Sequence, residues 1–205
     1  MDPSRWRVGL LVAALGALTA AAVAHLGAGH PASADAASRH GAAMARPAHA
    51  QEFVVGGPVE RNGLEIAANY LVGITLEPTI PMPANVPDAI HLEADVHATE
   101  ANRHGFKPGE WVPYVAISYH VARVGSDWSA TGGLQPMVAQ DGPHYAVNTA
   151  LNGPGQYRVT YHLDPPIQNG FFRHTDAATG VPVWWEPFEV AWTFTYPSTP
   201  RTAAD

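Results

Sequence analysis

The chain has 205 residues, a formal charge of −7 at pH 7, no cysteine and 11 histidines. The missing cysteines exclude a disulfide framework and a thiolate metal site. The light, acidic charge excludes nucleic-acid binding, which needs clustered Lys and Arg, and suits a protein that gathers cations.

Taken in order, Arg5 and Arg7 precede an uncharged run from Val8 to Leu26. This is the shape of a secretory signal, with a basic n-region and an apolar h-region. Small-x-small sites follow at Ala32-Ser33-Ala34 and Ala48-His49-Ala50. Left uncleaved, the apolar run is long enough for an N-terminal membrane anchor. Residues 1–50 are therefore expected to be a signal peptide or anchor plus a disordered Ala-rich spacer. An exported domain, placed in the periplasm or cell envelope, should occupy residues 51–205.

Turns are expected at Gly56-Gly57-Pro58 and Arg61-Asn62-Gly63, with a β-leaning run from Leu64 to Leu76 between the second turn and Glu77-Pro78. Prolines 78, 81, 83 and 87 then impose an extended connection. The stretch from Ile90 to Ala98 alternates strictly. Leu92, Ala94, Val96 and Ala98 fall on one face; His91, Glu93, Asp95 and His97 fall on the other. That polar face is either an ordinary solvated one or a rigid platform for a metal.

Further strands are predicted from Trp111 to Arg123, Leu134 to Ala139, Tyr145 to Leu151, Gln156 to Leu163 and Phe188 to Tyr196. Turns are expected at Gly125 to Gly133, Gln140 to Pro143 and Asn152 to Gly155. A long loop should run from Pro165 to Pro187. The run Gly155-x-Tyr157-x-Val159-x-Tyr161 is similar to the sixth strand of an immunoglobulin-type sandwich. About seven strands with no amphipathic helix predict an all-β fold, an immunoglobulin-like antiparallel β-sandwich.

Donor side chains are scattered along this frame. Met137 and His144 flank one turn, which should fold a thioether and an imidazole together. His174 lies in the long loop, in Arg173-His174-Thr175-Asp176. Glu52 stands at the start of the domain, and Trp184-Trp185 could wall a site from water. His91, His144 and His174 with Met137 make a nitrogen-and-thioether set that favours copper, whereas Glu52, Glu93 and Asp141 are hard donors suited to Fe(II) or Mn(II). Structural zinc usually takes a tetrahedral Cys and His set and is disfavoured. Taken singly, each has a plainer role: Met137 as core filler, His144 as a hydrogen-bonded strand end, His174 as a surface residue and Asp176 as a turn cap. No Ser-His-Asp set, phosphate loop or HExxH helix is present.

Several motifs together have a resemblance. His91-Leu-Glu93-Ala-Asp-Val-His97, Trp111-Val-Pro-Tyr and Pro136-Met137-Val-Ala-Gln-Asp141-Gly-Pro-His144-Tyr are three of them. With Arg173-His174-Thr-Asp and Thr179-Gly180-Val181, they resemble the periplasmic iron-transport accessory proteins associated with high-affinity Fe2+/Pb2+ permeases. Asn62-Gly63-Leu64-Glu65-Ile66-Ala67-Ala68 and Glu77-Pro78 match as well. The resemblance implies an immunoglobulin-like homodimer with a copper site from His91, Glu93, Met137, His144 and His174, the last given by the partner subunit. It implies a neighbouring iron or manganese site from Glu52, Glu93 and Asp141, and delivery of iron to an inner-membrane permease. Gln140 departs from the small or acidic residue that relatives place beside Asp141. No catalytic residue is assigned, and whether copper changes the oxidation state of iron is not decided by sequence. A copper-buffering module without an iron role and a structural interaction domain are the other readings.

Overall fold

The structure is a computed structural model that describes residues 51–79 and 86–197. The expected signal or anchor and the Ala-rich spacer lie outside the described residues. Among the described residues eight strands form: β1 (Phe53–Arg61), β2 (Leu64–Leu71), β3 (Ala89–Ala98), β4 (Ala116–Arg123), β5 (Ser129–Ala139), β6 (Gly142–Ala150), β7 (Gly155–Asp164) and β8 (Phe188–Tyr196). One 3-10 turn, Pro166–Asn169, interrupts the long loop.

All pairings are antiparallel, in the order β1-β2-β3-β6-β5-β4-β7-β8. Strand β5 belongs to two layers. Its first half, Ser129 to Leu134, pairs with β4, and its second half, Gln135 to Ala139, pairs with β6. The ribbon therefore folds over on itself at β5, and the apolar faces meet inside. Leu92, Ala94 and Val96 of β3 join Tyr157, Val159, Tyr161 and Leu163 of β7 in that core. Tyrosine hydroxyls tie it to backbone and side chains. Tyr161 donates to the Glu93 carbonyl at 2.7 Å and Tyr119 to Thr149 Oγ1 at 2.9 Å. Tyr145 donates to the Val112 carbonyl at 2.8 Å.

Tyr157 donates to the Gly153 carbonyl at 2.6 Å and accepts the Asn152 N–H at 3.0 Å. This is a tyrosine corner of the kind found in immunoglobulin-type sandwiches. The motif that was expected to lie on a sixth strand sits on β7, because the N-terminal segment adds a strand.

Three local expectations are corrected. Gly56-Gly57-Pro58 is not a turn but the middle of β1, with register shifts on both sides of Gly56. An edge strand tolerates proline, and bulges absorb the irregular pairing. Ser129 to Gly133 is strand rather than turn, because it has β4 as a partner across its whole length. Trp111 makes only an isolated bridge with His97, and regular pairing of β4 starts at Ala116.

The β1 and β8 edges meet through side chains. Trp192 Nε1 donates to the Gly57 carbonyl at 3.1 Å, and Arg61 lies 5.3 Å over the Phe188 ring. The Trp192 indole occupies the place where a Cβ on Gly56 would stand. Gly56→Ala should therefore evict the indole and destabilise the domain by about 1–3 kcal/mol, the usual cost of overpacking. Urea unfolding of the variant against wild type checks this; an unchanged midpoint would contradict the closure described here.

Candidate metal centre

Strand β3 keeps its two faces as the alternation requires, but the polar face is buried at His91 and half-buried at Glu93, Asp95 and His97. His91 is 2% exposed, His144 6%, and the Glu93 side chain 12%. The strand register explains how they meet. Glu93 lies opposite Ala146 of β6, a residue too small to fill the space above it. His144, two residues earlier on β6 and on the same face, reaches diagonally into that space. His91 and His144 approach one carboxylate oxygen from two sides: Glu93 Oε1 is 3.5 Å from His91 Nε2 and 3.4 Å from His144 Nε2. The two rings are edge to face, with centroids 6.1 Å apart. Donor atoms of all three residues lie within 4.8 Å of one another.

A second layer of contacts fixes the His91 tautomer. Asn148 Nδ2 donates to the Ile74 carbonyl at 3.1 Å, which turns its Oδ1 towards His91 Nδ1 at 2.7 Å. An amide oxygen only accepts, so Nδ1 carries the proton and Nε2 keeps its lone pair for the site. Burial lowers the His91 pKa, the Asn148 bond opposes this and nearby His144 adds to it. The ring is thus held neutral, the form that binds metals.

Met137 is the Cα partner of His144 across the β5–β6 hairpin. Gly142 allows that hairpin, since its φ of 135° is open to glycine and not to a side chain. The thioether and the imidazole therefore share one face of the sheet, as the turn led one to expect.

A cavity of about 350 Å³ adjoins the cluster. Glu52, Glu93, Asp95, Asp141, His97 and His144 line it, with no Lys or Arg among the described residues of its wall. The three hard donors expected from sequence are brought to one place. Asp95 and His97 join them, although neither was among the expected ligands; the alternation of β3 already placed both on this face. Asn69 donates to Asp95 at 3.0 Å. Neither Asn69 nor Asn148 belongs to a motif, and only the register reveals what they do.

His174 lies elsewhere. It is 75% exposed on the loop between β7 and β8, outside the three-residue cluster. A separate cavity of about 260 Å³ beside it is lined by His104, Phe106, Phe171, Phe172 and Trp184. Trp184 thus walls the His174 side, stacked on His104, with Trp185 edge-on to the same ring, and neither lines the cavity beside the buried cluster.

The set suits a copper ion: two buried imidazoles, a carboxylate and a thioether on one sheet face. It suits a cation on electrostatic grounds too. Burial, and then the carboxylates of Asp95, Glu52 and Asp141, push the Glu93 pKa from 4.5 up to about 8. The folded, metal-free protein therefore holds a proton on Glu93 that the unfolded chain releases near pH 4.5, and this group's effect on stability becomes less favourable as pH rises from about 4.5 to about 8. Glu93→Gln should gain stability relative to wild type across that window and show no further relative gain above it. Thermal unfolding of both metal-free proteins against pH measures the difference; parallel curves would contradict the raised pKa of the buried Glu93 carboxyl.

The chain matches known proteins over most of its length. The family described as Fe2+ transport protein matches residues 49–198. A UPF0423 protein of Brucella abortus is 40% identical over 165 residues, covering 79% of this chain and 91% of its own length. The 34 kDa membrane antigen of Treponema pallidum is 31% identical over 146 residues, covering 69% of this chain and 72% of its own. Among solved structures, FetP of uropathogenic Escherichia coli, expressed in the periplasm, shares 47% identity with a TM-score of 0.69, over 73% of this chain and 98% of FetP. The copper-reconstituted P19 protein of Campylobacter jejuni shares 43% identity with a TM-score of 0.68, over 73% and 99%. This chain belongs to the Fe2+ transport protein family.

Proposed function

We propose that this protein is an exported, periplasmic metal-binding protein that holds copper and assists the uptake of ferrous iron through an inner-membrane permease. Copper would be held by His91, Glu93, Met137 and His144 of one immunoglobulin-like protomer, with His174 supplied by a second copy. Ferrous iron or manganese would be taken at Glu52, Glu93 and Asp141. The observation that carries this reading is the convergence of His91, Glu93 and His144 within 4.8 Å, the two imidazoles buried, beside a cavity lined by Glu52, Asp95 and Asp141. Copper-bound structures of a FetP variant and of P19, 46% and 43% identical to this chain, support the choice of metal.

The residues divide the work by chemistry. Imidazole accepts both oxidation states of copper and the thioether favours Cu(I), so the ion, when bound, would supply one-electron redox chemistry. Glu93 belongs to both donor sets and so joins the two sites. Asp141 stands on the β5–β6 turn and Glu52 at the entry to β1, so both hard donors come from segment ends on one side of the sheet. The carboxylates of Glu52, Glu93, Asp95 and Asp141 draw cations into the cavity they line.

Metal content of the purified mature domain, measured by mass spectrometry, tests the reading first. Met137→Leu should lower Cu(I) affinity by more than about tenfold, since even an outer-shell partner is worth that much. Asp141→Asn should weaken Fe(II) or Mn(II) binding and spare copper. Copper binding with no response to Fe(II) or Mn(II) would favour the copper-buffering reading. Equal growth of a deletion strain under iron limitation would remove the role in uptake.

A further inference from the structure

The loop that carries His174 is organised around one carboxylate. Asp176 Oδ1 accepts the N–H groups of Ala178 at 3.0 Å and Thr179 at 2.9 Å. Its Oδ2 accepts the Thr179 hydroxyl at 2.8 Å. A hydroxyl has one proton, and here it is committed to Asp176. Thr179 Oγ1 therefore faces His174 Nδ1, 2.7 Å away, as an acceptor. Asp176 Oδ2 itself is 3.9 Å from that nitrogen, so the hydroxyl is the intermediary.

The backbone fixes this arrangement. Gly180 N–H donates to the Asp176 carbonyl at 2.9 Å, and Val181 N–H to the His174 carbonyl at 3.1 Å. A Cβ on Gly180 would strike the Asp176 carbonyl oxygen. Arg173 closes the loop from outside, donating to the Val181 carbonyl at 3.0 Å.

An exposed imidazole would ordinarily exchange between two tautomers and several rotamers. Here Nδ1 is anchored, and among the described residues none hydrogen-bonds Nε2. His91 is held in the same sense by Asn148, so the two imidazoles, one buried and one exposed, each offer Nε2.

We propose that Thr179, oriented by Asp176, is a positioning residue that keeps the proton of His174 on Nδ1 and presents Nε2 to a metal ion held by a second copy of this chain. This rests on the reading of His174 as a copper ligand given above. Preorganisation matters most for such a ligand, because ordering a free side chain at an interface subtracts from the affinity.

Two measurements on the full domain test it. Long-range 1H–15N correlation spectra of the metal-free protein report which ring nitrogen of His174 is protonated. Competition titration reports copper affinity. Wild type and Thr179→Ser should show the proton on Nδ1. Thr179→Val should lose that preference and lose copper affinity by about 10–100-fold, the range found for outer-shell partners of metal-bound histidines, and Thr179→Ser should restore it. The His91 tautomer should be the same in all three, which reports an intact fold. A proton on Nε2 of His174 in wild type overturns the proposal, as does a Thr179→Val variant with wild-type tautomer and affinity. A wild type with the stated tautomer that binds no copper defeats the copper reading and the positioning role together. A copper-binding wild type whose affinity ignores Thr179→Val defeats the positioning role alone.

Discussion

A carboxyl group enclosed between two imidazoles, with no lysine or arginine among the described residues of the adjoining cavity wall, governs this structure. Glu93 lies 3.5 Å from His91 and 3.4 Å from His144, and three further carboxylates line the adjoining cavity. Burying such a group is costly unless it is neutralised. A proton can do so, and so can a metal cation; the donor atoms around Glu93 are those a cation would use. The rest of the fold holds this costly arrangement in place.

The architecture does so by making the site one face of a sheet. Strands β3, β6 and β5 lie side by side, and their register sets which side chains are neighbours. Small residues at chosen positions, such as Ala146 opposite Glu93 and Ala67 opposite Asp95, leave room for the larger donors beside them. On the reverse face the same strands bury Leu92, Ala94, Val96 and Tyr145 in the core. A one-residue slip of β3 would exchange the two faces and bury the carboxylates in the apolar interior, so the core itself enforces the site's register. The folding-over of the ribbon at β5 then leaves Met137 on the half that pairs with β6, facing His144.

Much of this was legible in the chain. The period-two alternation of β3 predicted both of its faces, and the Gln140 to Pro143 turn predicted the nearness of Met137 and His144. Alternating runs and turn residues were enough for an all-β fold. Failures came where local chemistry was overruled. Glycine and proline at positions 56 to 58 signal a turn, yet β1 takes them as an irregular edge strand because Trp192 packs on Gly56. The chain turns around Gly125 as its residues signal, yet Ser129 to Gly133, also polar and glycine-rich, pair with β4.

The sequence by itself determined the donor types, the faces of the strands and the absence of thiolates, because these depend only on residue identity and on a local backbone period. Tertiary structure alone decided which donors share a site, how deeply Glu93 is buried, that Asp95 and His97 border the cavity, and that Asn148 sets the tautomer of His91. Those properties depend on contacts between residues such as His91 and Asn148, 57 positions apart. No local pattern encodes such a distance; it is set by strand order and register.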